Sequence, residues 1–187
     1  MNTDITRLQA KVKLYKQVLE NTIKYRQVWK DKVKQFISST LQTILQQTEL
    51  KGTIIEKNSI ENLEAIRLDL GRSGSGIAQS MENTDVKHIM IKNNGAVVYQ
   101  QLFNGKIMIM IVSPHIEGYG ESKEPSYLEI VRPDELSESS ILRHVENLLD
   151  DITQWEDYDD ESPQEKIAFQ PIGFQHTINL NKSDISQ

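Results

Sequence analysis

VKHIMIKNNGAVVYQQLFNGKIMIMIVSPHIEGYGESKEPSYLEIV, residues 86 to 131, is the densest run of apolar and β-branched side chains in the protein. Two Asn-Gly pairs punctuate it, Asn94-Gly95 and Asn104-Gly105. Asn-Gly suits the positive φ angles of a tight hairpin turn, so both pairs predict reversals between strands. A two-residue loop at the second would pair Phe103 with Lys106. That register sets Tyr99 opposite Met110 and Val98 opposite Ile111. Every residue from Ile107 to Val112 is apolar, although neighbours on a strand face opposite ways. Such a strand asks for cover on both faces and belongs in the middle of a sheet. Residues 86–92 and 97–103 would flank it or continue the meander, and residues 127–131 read as one more strand.

Upstream, Thr53-Ile54-Ile55-Glu56 is a short strand candidate. Ile66, Leu68 and Leu70 alternate with Arg67 and Asp69, the pattern of a half-buried strand. Downstream, Asp134 or Ser137 caps a helix with acids in its first turn. Ile141, Val145, Leu148, Ile152 and Trp155 follow at helical spacing, with Leu142 and Leu149 widening the stripe. This predicts an amphipathic helix lying on the sheet, its outer side carrying Glu146, Asp150 and Asp151.

The first fifty-one residues contain neither Gly nor Pro. Ile5, Leu8, Val12, Tyr15 and Leu19 recur at alternating spacings of three and four, which makes one stripe on a helix. The stripe resumes at Trp29, Val33, Phe36, Ile37, Leu41, Ile44 and Leu45, and Gly52 is the natural stop. One helix of roughly 45 residues would reach about 70 Å at 1.5 Å per residue. A compact domain of this chain length has a radius of gyration of only about 16 Å. Either the helix breaks near Lys30-Asp31-Lys32, or its first half projects while its second half covers the sheet.

The expected fold is α+β. An antiparallel meander of five or six strands is covered by a long N-terminal helix and a C-terminal amphipathic helix. Residues 1–51 form the basic helical arm, 52–158 the core, and 159–187 an acidic segment and tail. Within that last part, Ile167-Ala168-Phe169 and Ile172-Gly173-Phe174 are apolar enough to dock as an edge strand, and disorder is expected from Asn179 onward.

The net charge of −6 hides an asymmetry. Through Lys34, nine Lys and Arg residues stand against Asp4, Glu20 and Asp31; the remainder holds 12 basic and 24 acidic residues. The chain has no cysteine, which excludes disulfides, thiolate chemistry and cysteine-based zinc sites. No apolar leader opens it and no run of 18 apolar residues crosses it, so a cytoplasmic protein without a membrane span is expected.

Gly71-Arg72-Ser73-Gly74-Ser75-Gly76 fails as a phosphate loop because no Lys-Ser or Lys-Thr follows its last glycine. It fails as a nucleophile elbow because the residue two after Ser73 is Ser75. Its backbone N–H groups, with Arg72, Ser73 and Ser75, could still cradle an anion. The segment 113–121 places His115, Glu117 and Tyr119 at alternate positions, and a His beside a Glu can move protons. No nucleophile or third ligand accompanies them. The four histidines are scattered, so neither a metal site nor a cofactor is expected, and no catalytic motif is present.

These features favour a non-enzymatic protein-binding chain: a subunit, adaptor, chaperone-like protein or inhibitor within a homo-oligomer or hetero-complex. Its joint would be the arm, through Leu8, Val12, Tyr15, Leu19 and Trp29. One alternative is an accessory protein that touches nucleic acid through the basic helix, with Tyr15, Tyr25 and Trp29 as the interleaved aromatics. Another is a small-molecule or anion binder, or a hydrolase, at residues 71–76 and 113–121.

Overall fold

A computed structural model describes residues 2–80, 85, 87–120 and 122–157, with side chains from residue 4 onward. The acidic segment and tail, with their expected edge strand and disorder, lie outside the described residues, as do Val86 and Glu121.

The glycine-free opening forms one helical rod. It comprises α1 (Asn2–Val28), a π-helical turn (Trp29–Val33) and α2 (Lys34–Thr48). Of the two sequence expectations, the continuous rod is the one observed. The Lys34 N–H donates to the Trp29 carbonyl, closing a wider ring than the α-helical one. That turn inserts one residue into the stripe. An unbroken repeat from Trp29 and Val33 would bury position 36 and then 43. The buried residues of α2 are instead Ile37, Thr40, Leu41 and Ile44, and the apolar ones among them are rotated by about 100° in an α-helix of 3.6 residues per turn. The rod ends at Thr48 with Glu49 in the left-handed region, φ 57°, so Gly52 is not its stop. Gly52 answers a packing need: a Cβ there would stand 3.1 Å from Leu68 and 3.2 Å from Leu70.

Eight strands and a helix follow: β1 (Thr53–Lys57), β2 (Ala65–Asp69), β3 (Arg72–Ser80), β4 (Lys87–Asn93), β5 (Ala96–Gln101), β6 (Ile107–Val112), β7 (His115–Ile116), β8 (Ser126–Val131) and α3 (Glu138–Glu156). Five of the strands make an antiparallel sheet in the order β1-β2-β5-β6-β8. The α+β class, the antiparallel sheet and the two covering helices are as expected. Ile66, Leu68, Val97, Tyr99, Ile107, Ile109 and Ile111 are buried on one sheet face with Trp29, Ile37 and Leu41 of the rod and Ile141, Val145 and Leu148 of α3. Each of those side chains removed from water contributes about 1.5–3 kcal/mol. Ser137 caps α3 through a reciprocal capping box with Ser140.

Three expectations about the sheet are corrected. Tyr99 pairs with Ile109 and Val98 with Met110, one residue off the expected register. The turn is longer than two residues: the Leu102 N–H donates to the Lys106 carbonyl, and Gly105 takes φ 76°. This is the three-residue hairpin loop with a left-handed glycine, which Asn-Gly serves equally well. The outer face of β6 is also not sealed, since Met108, Met110 and Val112 are only half-buried.

The third correction concerns Asn94-Gly95, which is a crossing point and not a hairpin turn. β3, β4 and β7 form a second antiparallel sheet in the order β3-β4-β7. Asp69 pairs with Ala96 and Arg72 with Asn93, so one register runs from β2/β5 into β3/β4. Two hydrogen bonds bridge the join, Leu70 N–H to the Gly95 carbonyl at 3.1 Å and Asn94 N–H to the Gly71 carbonyl at 3.0 Å. Gly71 and Gly95 both have positive φ and bend one long ribbon out of the main sheet.

Candidate functional site

Arg72, Ser73, Ser75, His115, Glu117 and Tyr119 are brought into one neighbourhood by that second sheet. Arg72, Asn93 and His115 are direct partners across β3, β4 and β7, so they stand in a row. The Asn93 side-chain nitrogen lies 3.1 Å from His115 Nε2 and donates to Glu117 Oε1 at 3.3 Å. Arg72 completes the group at 3.5 Å from the same Glu117 oxygen. The serines have structural work. Ser73 donates to Asn94 Oδ1 at 2.9 Å, and Ser75 donates to the Met90 carbonyl at 2.8 Å. The Ile77 N–H is spent on the Ser75 hydroxyl, and the Tyr119 N–H on the Ile116 carbonyl. Residues 71–76 are thus largely strand, with hydroxyls and ladder N–H groups already engaged. Arg72 and Glu117 neutralise one another on an open surface, a poor arrangement for holding an anion.

A second cluster escapes sequence reading. His144, only 1% exposed, projects from α3 into the core, where its Nε2 lies 2.7 Å from Glu129 Oε1 on β8. Its Nδ1 lies 3.3 Å from the Tyr99 hydroxyl on β5. Arg143 donates to the same Glu129 oxygen at 3.0 Å. Burial pushes the His144 ring below the usual histidine range, against the opposing pull of Glu129. Burial, with Glu129 second, pushes the Tyr99 phenol up. A neutral ring that donates from Nε2 and accepts at Nδ1 satisfies all three groups. Tyr99 and His144 are closed to solvent, so the arrangement braces α3 against two strands and offers no substrate access. Two signals point to it in the sequence: a carboxylate inside the apolar run of residues 127–131, and a histidine on the buried stripe of an amphipathic helix.

No family model, curated protein or solved structure matches the chain. Among the described residues, no helix is long and apolar enough to cross a membrane, and no three His, Asp or Glu side chains gather as metal ligands would.

The arm is the remaining candidate. Ile5, Leu8, Val12, Leu14, Tyr15, Val18, Leu19 and Ile23 are each between 44% and 70% exposed. Trp29 is corrected: it is 0% exposed and belongs to the core of its own chain. Its indole N–H donates to Glu64 Oε2 at 3.0 Å, and Lys34 lies 3.1 Å from the same oxygen. Burial raises the Glu64 carboxyl, but the indole and Lys34 outweigh it and hold the group below the usual range. Between core and arm, the rod rests on the β5–β6 loop. A Cβ at Gly105 would meet Tyr25 Cβ at 2.8 Å, Arg26 N at 3.0 Å and Thr22 O at 3.1 Å. Arg26 also donates to the Phe103 carbonyl. Beyond that seat, toward the N-terminus, the apolar stripe from Leu19 back to Ile5 is exposed among the described residues.

Proposed function

We propose that this is a non-enzymatic protein-binding chain, a subunit or adaptor-like component of a larger assembly, whose joint is the exposed stripe of α1. The observation that carries it is the set of large apolar side chains along the arm, in line with the residues that seal the core at the rod's other end. A row of exposed large apolar side chains at helical spacing is the kind of surface that a partner covers. The stripe has the three-four spacing by which one helix packs on another. A cytoplasmic setting belongs to the same proposal and rests on the cysteine-free composition.

The nucleic-acid alternative is weaker. Trp29 is buried and Tyr25 half-buried, which leaves Tyr15 as the exposed aromatic among the three it would stack on.

The test is the triple variant Leu8→Ala, Val12→Ala and Leu19→Ala. It should keep the wild-type thermal melt yet lose the light-scattering mass of the assembly isolated from native cells. An unchanged assembly mass would refute the arm as joint.

A further inference from the structure

We infer that the arm's partner is an acidic amphipathic helix of a different chain, and not a second copy of the arm. This rests on the arm being a joint and goes on to name what it joins. Written as heptads, Ile5, Val12 and Leu19 hold one seam position and Leu8 and Tyr15 the other. Charges beside a seam decide which helices can share it. The flanking positions carry Gln9, Lys16 and Ile23 on one side and Asp4, Lys11 and Val18 on the other, all of them exposed.

Self-pairing makes poor use of these flanks. In a parallel pair, Lys11 of one copy would stand opposite Lys16 of the other, and symmetry repeats the clash. In an antiparallel pair with the stripes fully overlapped, Lys16 meets Gln9 or another Lys16. Lys11 then meets Val18 or another Lys11. None of these arrangements sets an acid against either lysine. Arg7, Lys13 and Lys24 add to a field that Asp4 and Glu20 only partly offset, so bringing two arms together concentrates like charge. A helix with apolar seam residues and glutamates at its flanks would cover Val12 and Leu19 while pairing with Lys11 and Lys16. Past Thr22 and Arg26 the same face reaches the chain's own core at Trp29, so such a helix would extend the layer that the rod already forms over the sheet.

The experiment uses the full chain and two synthetic four-heptad peptides with leucine at both seam positions. One carries Glu at every flanking position and the other Lys. Fluorescence anisotropy should show the Glu peptide binding at least about tenfold more tightly, a difference of about 1.4 kcal/mol. Its affinity should fall with added salt. The double variant Lys11→Glu and Lys16→Glu, with an unchanged melt, should reverse the preference. Equal affinity for the two peptides, or a preference that survives charge reversal, would overturn the inference. So would a purified chain that is a stable homo-oligomer until Leu8, Val12 and Leu19 become alanine, although the joint itself would then stand. If neither peptide binds and the alanine variant leaves the native assembly intact, inference and joint fall together.

Discussion

Two halves of one rod, α1 and α2, meet at a single π-helical turn and live in different surroundings. Along α2 and the turn, Trp29, Val33, Ile37, Leu41 and Ile44 are buried; along α1, residues of the same chemical kind stand in water. Apolar spacing alone does not separate them, because both halves carry a helical stripe. What separates them is reach. The sheet is wide enough to cover the rod from Thr48 back to the Gly105 seat, and the chain offers nothing described beyond that. A stripe is thus a demand for a partner, and only the extent of the sheet says whether the partner is internal.

The sharpest way to break this contrast is to cut matching side chains from the two halves. Trp29→Ala removes a fully buried ring and leaves Glu64 without its indole donor, and should cost about 3–5 kcal/mol. Urea denaturation checks it; a loss below about 1 kcal/mol would mean the buried half is not anchored as described. Next comes the seat between the halves. Gly105→Ala meets both an unfavourable φ and the backbone of α1, and should cost about 2 kcal/mol or more. Its circular dichroism should keep the helix signal, because the substitution strains the contact and not the rod.

A smaller effect comes from pH and is confined to the body. Because burial lowers the folded-state pKa of His144, the unfolded chain binds a proton that the folded one resists once pH falls below about 6.5. Stability from this group is complete above that value and declines as pH drops toward the folded pKa. The urea midpoint should therefore fall between about pH 7.5 and pH 5.5. His144→Gln should flatten that part of the profile, and a profile unchanged by the substitution would contradict the brace. The smallest effect belongs to the arm: Leu8→Ala in the isolated chain should move stability by no more than about 0.5 kcal/mol. A larger loss would mean Leu8 is covered.

Much of the fold was legible because local rules and burial agreed. Ile66 and Leu68 alternate and face the core, Ser137 caps α3, and the Ile141–Leu148 stripe lies on the sheet. Legibility failed where two local solutions fit the same residues. Asn104-Gly105 serves a two- or a three-residue loop, and the residue types alone do not choose between them. Asn94-Gly95 can turn a chain or bend it, and the choice depends on Gly71, far away in sequence but paired across the ribbon. The stripe through Trp29, Val33, Ile37, Leu41 and Ile44 was legible, but the same spacing let Trp29 be assigned to the joint as well as to the core, and no residue type marks the π-helical turn that follows it. The meeting of Arg72 with Glu117 and of His144 with Glu129 depends on pairings between distant segments, which spacing along the chain does not encode.

Gly105 and the loop that carries it give the arm a fulcrum. The 27 residues of α1 span about 40 Å at the α-helical rise, with the seat near one end. A pull on Ile5 would therefore be felt as torque at the β5–β6 loop and, through the central strands, by the whole sheet. A molecule gripping the far end of this lever would have a mechanical handle on the body without ever touching it.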